Sequence, residues 1–287
     1  MSVRELSSPP NLTALYPRAL TGPLLRRIPG LGGGGDGLPD TELEVRGVHV
    51  DPDRLSTYRE VCGFERTDRL PATYPHIVAF RLAMRIMVSR AFPFAVLGLV
   101  HVANEITQHR PLAPDEPLSV RVRAQGLGPH DRGTQFTIAA EGRVGEETVW
   151  ESRNIYLHRE KTTGGGGSSR ADREGPAPAS AHWRVPEDIG RRYAAVSGDR
   201  NPIHLHALSA RLFGMPRPIA HGMWLKARCL AQLEPAQPEA FSVSVRFKLP
   251  LFLPAQVAFG EREGGAFEVR DASSGKPHLS GTVTPGR

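Results

Sequence analysis

What most restricts the folding of this chain is that it contains one pattern twice. The stretch PDRLSTYREVCGF, Pro52 to Phe64, can be laid on IGRRYAAVSGD, Ile189 to Asp199, so that Tyr58, Val61 and Gly63 meet Tyr193, Val196 and Gly198. Phe64 then stands where the second copy has Asp199. Further on, YPHIVAFRLAM, Tyr74 to Met84, matches RPIAHGMWLKA, Arg217 to Ala227, through its proline and the helix signal that follows. The second copy spends about eight more residues to reach that proline, and RNPIHLHA accounts for them. A duplicated unit, with a polar insertion in one copy only, is the simplest account.

Within each copy a helix signal precedes strand-like segments. FRLAMRIMVSR is followed by GLVHVANEITQHRPL, LSVRVRAQGL, TQFTIAAEGRV and TVWESRNIYLHR, and HGMWLKARCLAQL by FSVSVRFKLPLF, QVAFGERE, AFEVRDA and HLSGTVT. Several consecutive strands after one helix predict an α+β fold, a long helix wrapped by an antiparallel sheet, rather than alternating βαβ units. Two Gly-rich stretches, PGLGGGGDGLPD at 29–40 and KTTGGGGSSRADREGPAPASAH at 161–182, read as flexible linkers. The expected organisation is therefore an extension over 1–40, a first unit over 41–160, a linker over 161–182 and a second unit over 183–287. With 287 residues, 39% of them hydrophobic, the chain can supply two cores of about 100 to 150 residues each.

Composition excludes several classes. The longest apolar run, Phe92 to Ala103, falls short of the roughly 20 residues that cross a bilayer, and MSVRELSSPPNLT has no apolar leader core. A cytoplasmic protein without membrane contact is expected. Cys62 and Cys229 are too far apart for a metal knuckle and too few for a disulfide framework. The net charge of +6 is scattered among acids, as in DPDRLSTYREVCGFERTDR, so nucleic acid is not the expected partner. A phosphorylated small ligand or an acidic carrier protein fits that charge. The GxGxxG of the first Gly-rich stretch lacks the strand before it and the helix after it that a dinucleotide site needs. SSGKP at 273–277 reads as a hairpin turn rather than a P-loop.

The chemistry-bearing residues gather in YAAVSGDRNPIHLHALSARLFG, Tyr193 to Gly214. Asn201 and Pro202 suit a helix start and Gly214 its end, which predicts one helix between them. Asp199 and His204 flank that start, where a carboxylate and an imidazole can share one water; the alternative is a turn Asp and a surface His. Asp199, His204, His206 and His221 are all possible metal ligands, but His204 and His206 two apart on a helix do not share a face, so no metal is expected. Ser197 in AVSGD lacks a nucleophile elbow and reads as a turn residue. His221 and Gly222 open a long apolar helix, where a glycine N–H could polarise a carbonyl or where glycine merely permits close packing.

YAAVSGDRNPIH with IAHGM about fifteen residues later resembles the signature of the MaoC-like dehydratases, the (R)-specific enoyl-thioester hydratase group of the hot dog superfamily. Two units in one chain resemble the double hot dog members, in which an inactive N-terminal copy forms a pseudo-dimer with an active C-terminal one; Phe64 in place of the Asp agrees with that. The resemblance implies reversible hydration of trans-2-enoyl thioesters to (R)-3-hydroxyacyl thioesters, on CoA or acyl carrier protein, in fatty acid metabolism and without cofactor. On that basis Asp199 and His204 are the catalytic pair, Gly222 N–H the donor to the thioester oxygen, and Asn201, Ser197 and His221 supporting residues. Lys226 and Arg228 could meet the phosphates of the carrier. FPFAVLGLV at 92–100 could line the acyl tunnel, although an ordinary core segment has the stronger claim. A further homodimer of the duplicated chain is possible, and a hot dog thioesterase or a non-catalytic acyl-thioester-binding module are the competing functions.

Overall fold

The computed structural model describes residues 2–25, 37–160 and 175–286. Most of the first Gly-rich stretch and positions 161–174 of the second lie outside the described residues. Eleven strands form one sheet among these: β1 (Ser2–Leu6), β2 (Thr41–Val48), β3 (Leu99–Gln108), β4 (Leu118–His130), β5 (Gly133–Val144), β6 (Glu147–Arg159), β7 (Ala179–Val185), β8 (Phe241–Phe247), β9 (Ala255–Glu261), β10 (Ala266–Asp271) and β11 (Pro277–Pro285). Their spatial order is β1-β2-β4-β5-β6-β3-β8-β11-β10-β9-β7. Numbering strands within each half, the first runs 1-3-4-5-2 and the second 2-5-4-3-1, the same topology reflected about the β3–β8 seam. That is the double hot dog arrangement.

Two long helices fill the hollow of this sheet. α3 (Pro75–Met87) buries nine of its residues and α6 (Gly222–Leu233) eight, so both are apolar on nearly all sides, as a helix enclosed by a sheet must be. In front of each lies a shorter helix, α2 (Pro52–Cys62) and α4 (Ile189–Ser197). These pack on each other, with Tyr58 and Tyr193 buried and their rings 6.2 Å apart. Both end identically, at Gly63 and Gly198 with φ of 81°, a left-handed cap that only glycine adopts cheaply. The next residue is Phe64 in one and Asp199 in the other.

The internal match needs one correction. Pro75 is the first residue of α3, whereas Pro218 lies four residues before α6, held to the loop before β9 by the Leu253 N–H to Pro218 O bond of 2.8 Å. Helix starts correspond, not prolines: α3 begins 12 positions after Gly63 and α6 begins 24 positions after Gly198. The insertion is therefore longer than the proline match suggested. Each unit also has a strand ahead of its short helix, β2 and β7, that the helix-then-meander reading left out. β7 begins at Ala179, within the span expected as linker.

The seam is a ladder of six residue pairs, Ala103 with Arg246 through to Gln108 with Phe241. Lys226 of α6 reaches into it, fully buried, with its Nζ 2.5 Å from Asn104 Oδ1, 3.2 Å from Val243 O and 3.4 Å from Asn104 O, acceptors of which a neutral amine serves two at a time. Asn104 Nδ2 continues the network to Ser152 Oγ (3.0 Å) and Asn154 Oδ1 (2.9 Å). Burial drives the Lys226 amine well below its ordinary value, with the Glu105 charge a weaker opposing influence.

Between that lowered value and the ordinary 10.5 the unfolded chain holds a proton that the native protein does not, so this residue makes stability rise with pH. Lys226→Met should flatten the rise. Denaturation midpoints followed from about pH 7 to pH 10 test this; parallel curves for the two proteins would show that the amine stays protonated in the fold.

Candidate active site

The turn after α4 is tied by short-range bonds. Ser197 donates its hydroxyl to Tyr193 O (2.8 Å) and accepts the Asp199 N–H (3.1 Å). Asp199 Oδ1 in turn accepts the Asn201 N–H at 3.1 Å, an Asx turn. Asn201 and Pro202 start a helical turn shorter than expected: a single 3-10 turn over Pro202–His204, an extended His206, and then α5 (Ala207–Leu212). The reason is tertiary. Ile203 O, which a continuing helix would offer to residue 207, is taken by the Ile219 N–H at 3.1 Å, and Ile219 O accepts His204 Nδ1 at 2.8 Å. His206 is exposed, away from the site.

His221, capping α6, brings the two ends together. Its ring lies 3.7 Å from that of His204 at 27°, and its Nε2 bonds Asp199 O at 3.0 Å and lies 3.9 Å from Oδ2. Carbonyls only accept, so His204 carries its proton on Nδ1 and His221 on Nε2. In the neutral rings the opposite nitrogens keep their lone pairs. Both rings are neutral: burial lowers His204 and takes His221 down to about 3, with the Asp199 charge opposing in each case. Burial pushes the Asp199 carboxyl up, but the His221 and His204 rings in their charged forms, the Asn201 N–H and the Tyr16 hydroxyl outweigh it and hold the group below its ordinary value; beside neutral rings it is the two hydrogen bonds that oppose burial. An ionised carboxylate thus faces a neutral imidazole with Nε2 unprotonated.

One ligand atom from each of Asp199, His204 and His221 lies within 4.8 Å of the others, close enough for an ion. Of the four ring nitrogens, however, His204 Nδ1 and His221 Nε2 are already engaged by backbone carbonyls. The arrangement suits proton transfer better than a metal cage.

Asp199, His204 and Gly222 open on one cavity of about 330 Å³. Val96 to Val100 form part of its wall, so the segment weighed as core belongs in part to the cavity. Gly222 serves packing as well, since a Cβ there would lie 2.9 Å from Phe247 Cε1. Its N–H belongs to the first turn of α6, which has no intrahelical acceptor. Lys226 and Arg228 do not reach the cavity. Lys226 is locked in the seam, and Arg228 is half-buried with its guanidinium 4.7 Å over the Trp183 ring, so neither can meet carrier phosphates. Arg159 and Lys248 are basic side chains that do line the cavity.

A model of the MaoC like domain family matches residues 170–277. Over 253 residues the chain is 37% identical to 3-hydroxyacyl-thioester dehydratase X of Mycobacterium tuberculosis, covering 86% of this chain and 90% of that protein. The chain belongs to the MaoC-like dehydratase family. A crystal structure of HtdX from the same organism superimposes with a TM-score of 0.76 at 35% identity, over 85% of this chain and all of that one (100%). A MaoC-like dehydratase from Phytophthora capsici shares the fold, with a TM-score of 0.67 at 18% identity over 86% and 95% of the two chains. So does a Mycobacterium tuberculosis protein described as a double hot dog, at 0.52 and 12% over 82% and 92%.

Two residues of this MaoC-like site escaped the sequence reading. Tyr16, in helix α1 (Leu12–Leu25), donates its hydroxyl to Asp199 Oδ1 at 3.0 Å. The spacing of Leu12, Leu15 and Ala19 is the sequence mark of a docked helix there, and Pro17 inside it argues the other way. Gly190, in the first turn of α4, is the second: a Cβ there would collide with the His204 carbonyl oxygen.

Gly190→Ala gains about 1 kcal/mol of helix propensity and loses more to overpacking against fixed backbone, typically about 1 to 3 kcal/mol. It should lower the melting temperature and, by displacing the His204 turn, cut turnover about tenfold or more. A variant as stable and as active as the native protein would show that this approach does not set the position of His204.

Proposed function

We propose that this chain catalyses the reversible addition of water to trans-2-enoyl thioesters, giving (R)-3-hydroxyacyl thioesters, as a hydro-lyase acting on acyl-CoA or acyl carrier protein substrates. One observation carries the reading: Asp199 and His204 open together on an apolar-walled cavity, beside the N-terminus of α6. The likeness to 3-hydroxyacyl-thioester dehydratase X supports the substrate class.

In hydration, water sits between the Asp199 carboxylate and His204 Nε2 and yields a proton to the pair as its oxygen bonds C3. The C2–C3 π electrons move to C2 and onto the thioester oxygen, whose growing charge meets the Gly222 N–H and the positive end of α6. The enolate collapses as C2 takes a proton from the pair. Dehydration runs the same steps backwards. The chemistry is redox-neutral proton transfer and calls for no cofactor. Arg159 and Lys248 at the cavity are suited to carrier phosphates.

Asp199→Asn and His204→Ala should each lower kcat by about 10² to 10⁴, read as slower loss of enoyl ultraviolet absorbance from crotonyl-CoA or a longer enoyl-CoA. Activity within a few-fold of native in either would remove that residue from the mechanism. Release of free thiol instead of loss of the double bond would point to a thioesterase.

The lowered value of His204 keeps its base form available at more acid pH than a free imidazole allows. The acid limb of kcat/KM, which reports the free enzyme, should therefore fall below about pH 6.5. A limb at or above that value would mean that His204 is not held neutral by burial.

A further inference from the structure

We infer that Tyr16 is a positioning residue of the active site: it fixes the Asp199 carboxylate so that Oδ1 is held and Oδ2 is left for water, which makes the N-terminal extension part of the catalytic unit. The inference rests on the hydratase reading for its consequence and on hydrogen-bond geometry for its content.

The direction of each bond at the Tyr16 hydroxyl is forced. The Arg200 N–H can only donate, and it meets the hydroxyl oxygen at 2.5 Å. The phenolic proton is therefore directed to Asp199 Oδ1 at 3.0 Å, an oxygen that can only accept while the carboxylate is ionised. Oδ1 also accepts the Asn201 N–H at 3.1 Å, so two donors clamp the same oxygen. Oδ2 is the oxygen on the His221 side, 3.9 Å from its Nε2. Tyr16 also lines the reaction cavity. Burial, reinforced by the Asp199 charge, raises the phenol far above its ordinary value, which keeps it a donor at every working pH.

The extension is built to hold this geometry. Leu12, Leu15 and Ala19 are buried along one side of α1, and β1 pairs in parallel with β2 over five positions, Ser2 with Thr41 to Leu6 with Val45. The helix also presses on the turn itself, because a Cβ on Gly198 would lie 2.5 Å from Leu12 Cδ1. One docking thus constrains the backbone before Asp199 and the side chain of Asp199 together. Neither of the duplicated units contains this residue.

Tyr16→Phe keeps the ring and its packing while removing the proton; Tyr16→Ala removes both. With the full chain and an enoyl-CoA, both variants should lose about 10- to 100-fold in kcat, the range for a hydrogen bond to a charged group, with KM changed little. The acid limb should move to higher pH, since the carboxylate loses a donor that favours its charged form and the Asp199–His204 pair titrates together. If Phe restores native kcat and the native limb where Ala does not, Tyr16 is only packing and the inference fails. Carbon-13 NMR titration of the Asp199 carboxyl in the unliganded protein gives a readout independent of turnover. Tyr16→Phe should raise its midpoint, because the charged carboxylate loses a donor, and an unchanged midpoint overturns the inference even if the native protein proves inert on enoyl thioesters. Inert native protein with a shifted midpoint would remove the hydratase reading and leave the positioning role standing.

Discussion

The antiparallel pairing of β3 with β8 is the contact on which the rest depends. It joins six strands of the first half, β1 included, to five of the second in one continuous surface that covers both α3 and α6, and it leaves neither half with an exposed edge at the seam. Burying two helices that are apolar almost all round is possible only with that shared cover. The seam also carries a cost, the desolvated Lys226 amine, offset by hydrogen bonds to oxygens drawn from both halves. Replacing it by an apolar side chain would leave Asn104 Oδ1 short of a donor, which is how a buried polar network fixes which surfaces meet.

Duplication then allowed the halves to diverge at one point. α2 and α4 end with the same glycine geometry, but the first chain continues into buried Phe64 and the second into Asp199, which keeps 27% of its side-chain surface open. The insertion that follows in the second half is long enough to fold back on itself. It delivers His204 to Ile219 and His221 to Asp199, closing a ring of contacts around one carboxylate. The first half supplies cavity wall, through Val96 to Val100.

The electrostatics of the pair follow from this enclosure. Burial alone would neutralise all three groups, and for the two imidazoles it does. For Asp199 several donors and neighbours outweigh it, so the carboxylate stays charged. An ionised acid beside a neutral base can hold and deprotonate water, whereas two neutral groups or two charged ones would do so less well.

The sequence by itself determined what is local or periodic: the duplication, the two buried helices, the alternating strands, and the Asp199 to Gly222 segment whose residues lie close along the chain. Such features are legible because spacing reports the face and the turns of the element that carries it. Tertiary structure decided the rest. Glu42 and Glu44 blur the pattern of β2, since they are covered by Arg123 and Arg121 of β4, a pairing no single segment displays. A lysine on α6 reads as a phosphate contact until packing places it inside the seam. The helix expected from Asn201 stops early because Ile219, sixteen residues beyond Ile203, takes its carbonyl. Tyr16 meets Asp199 across 183 positions; which distant surfaces come together is set by the packing of the whole chain, and no spacing within one segment records it.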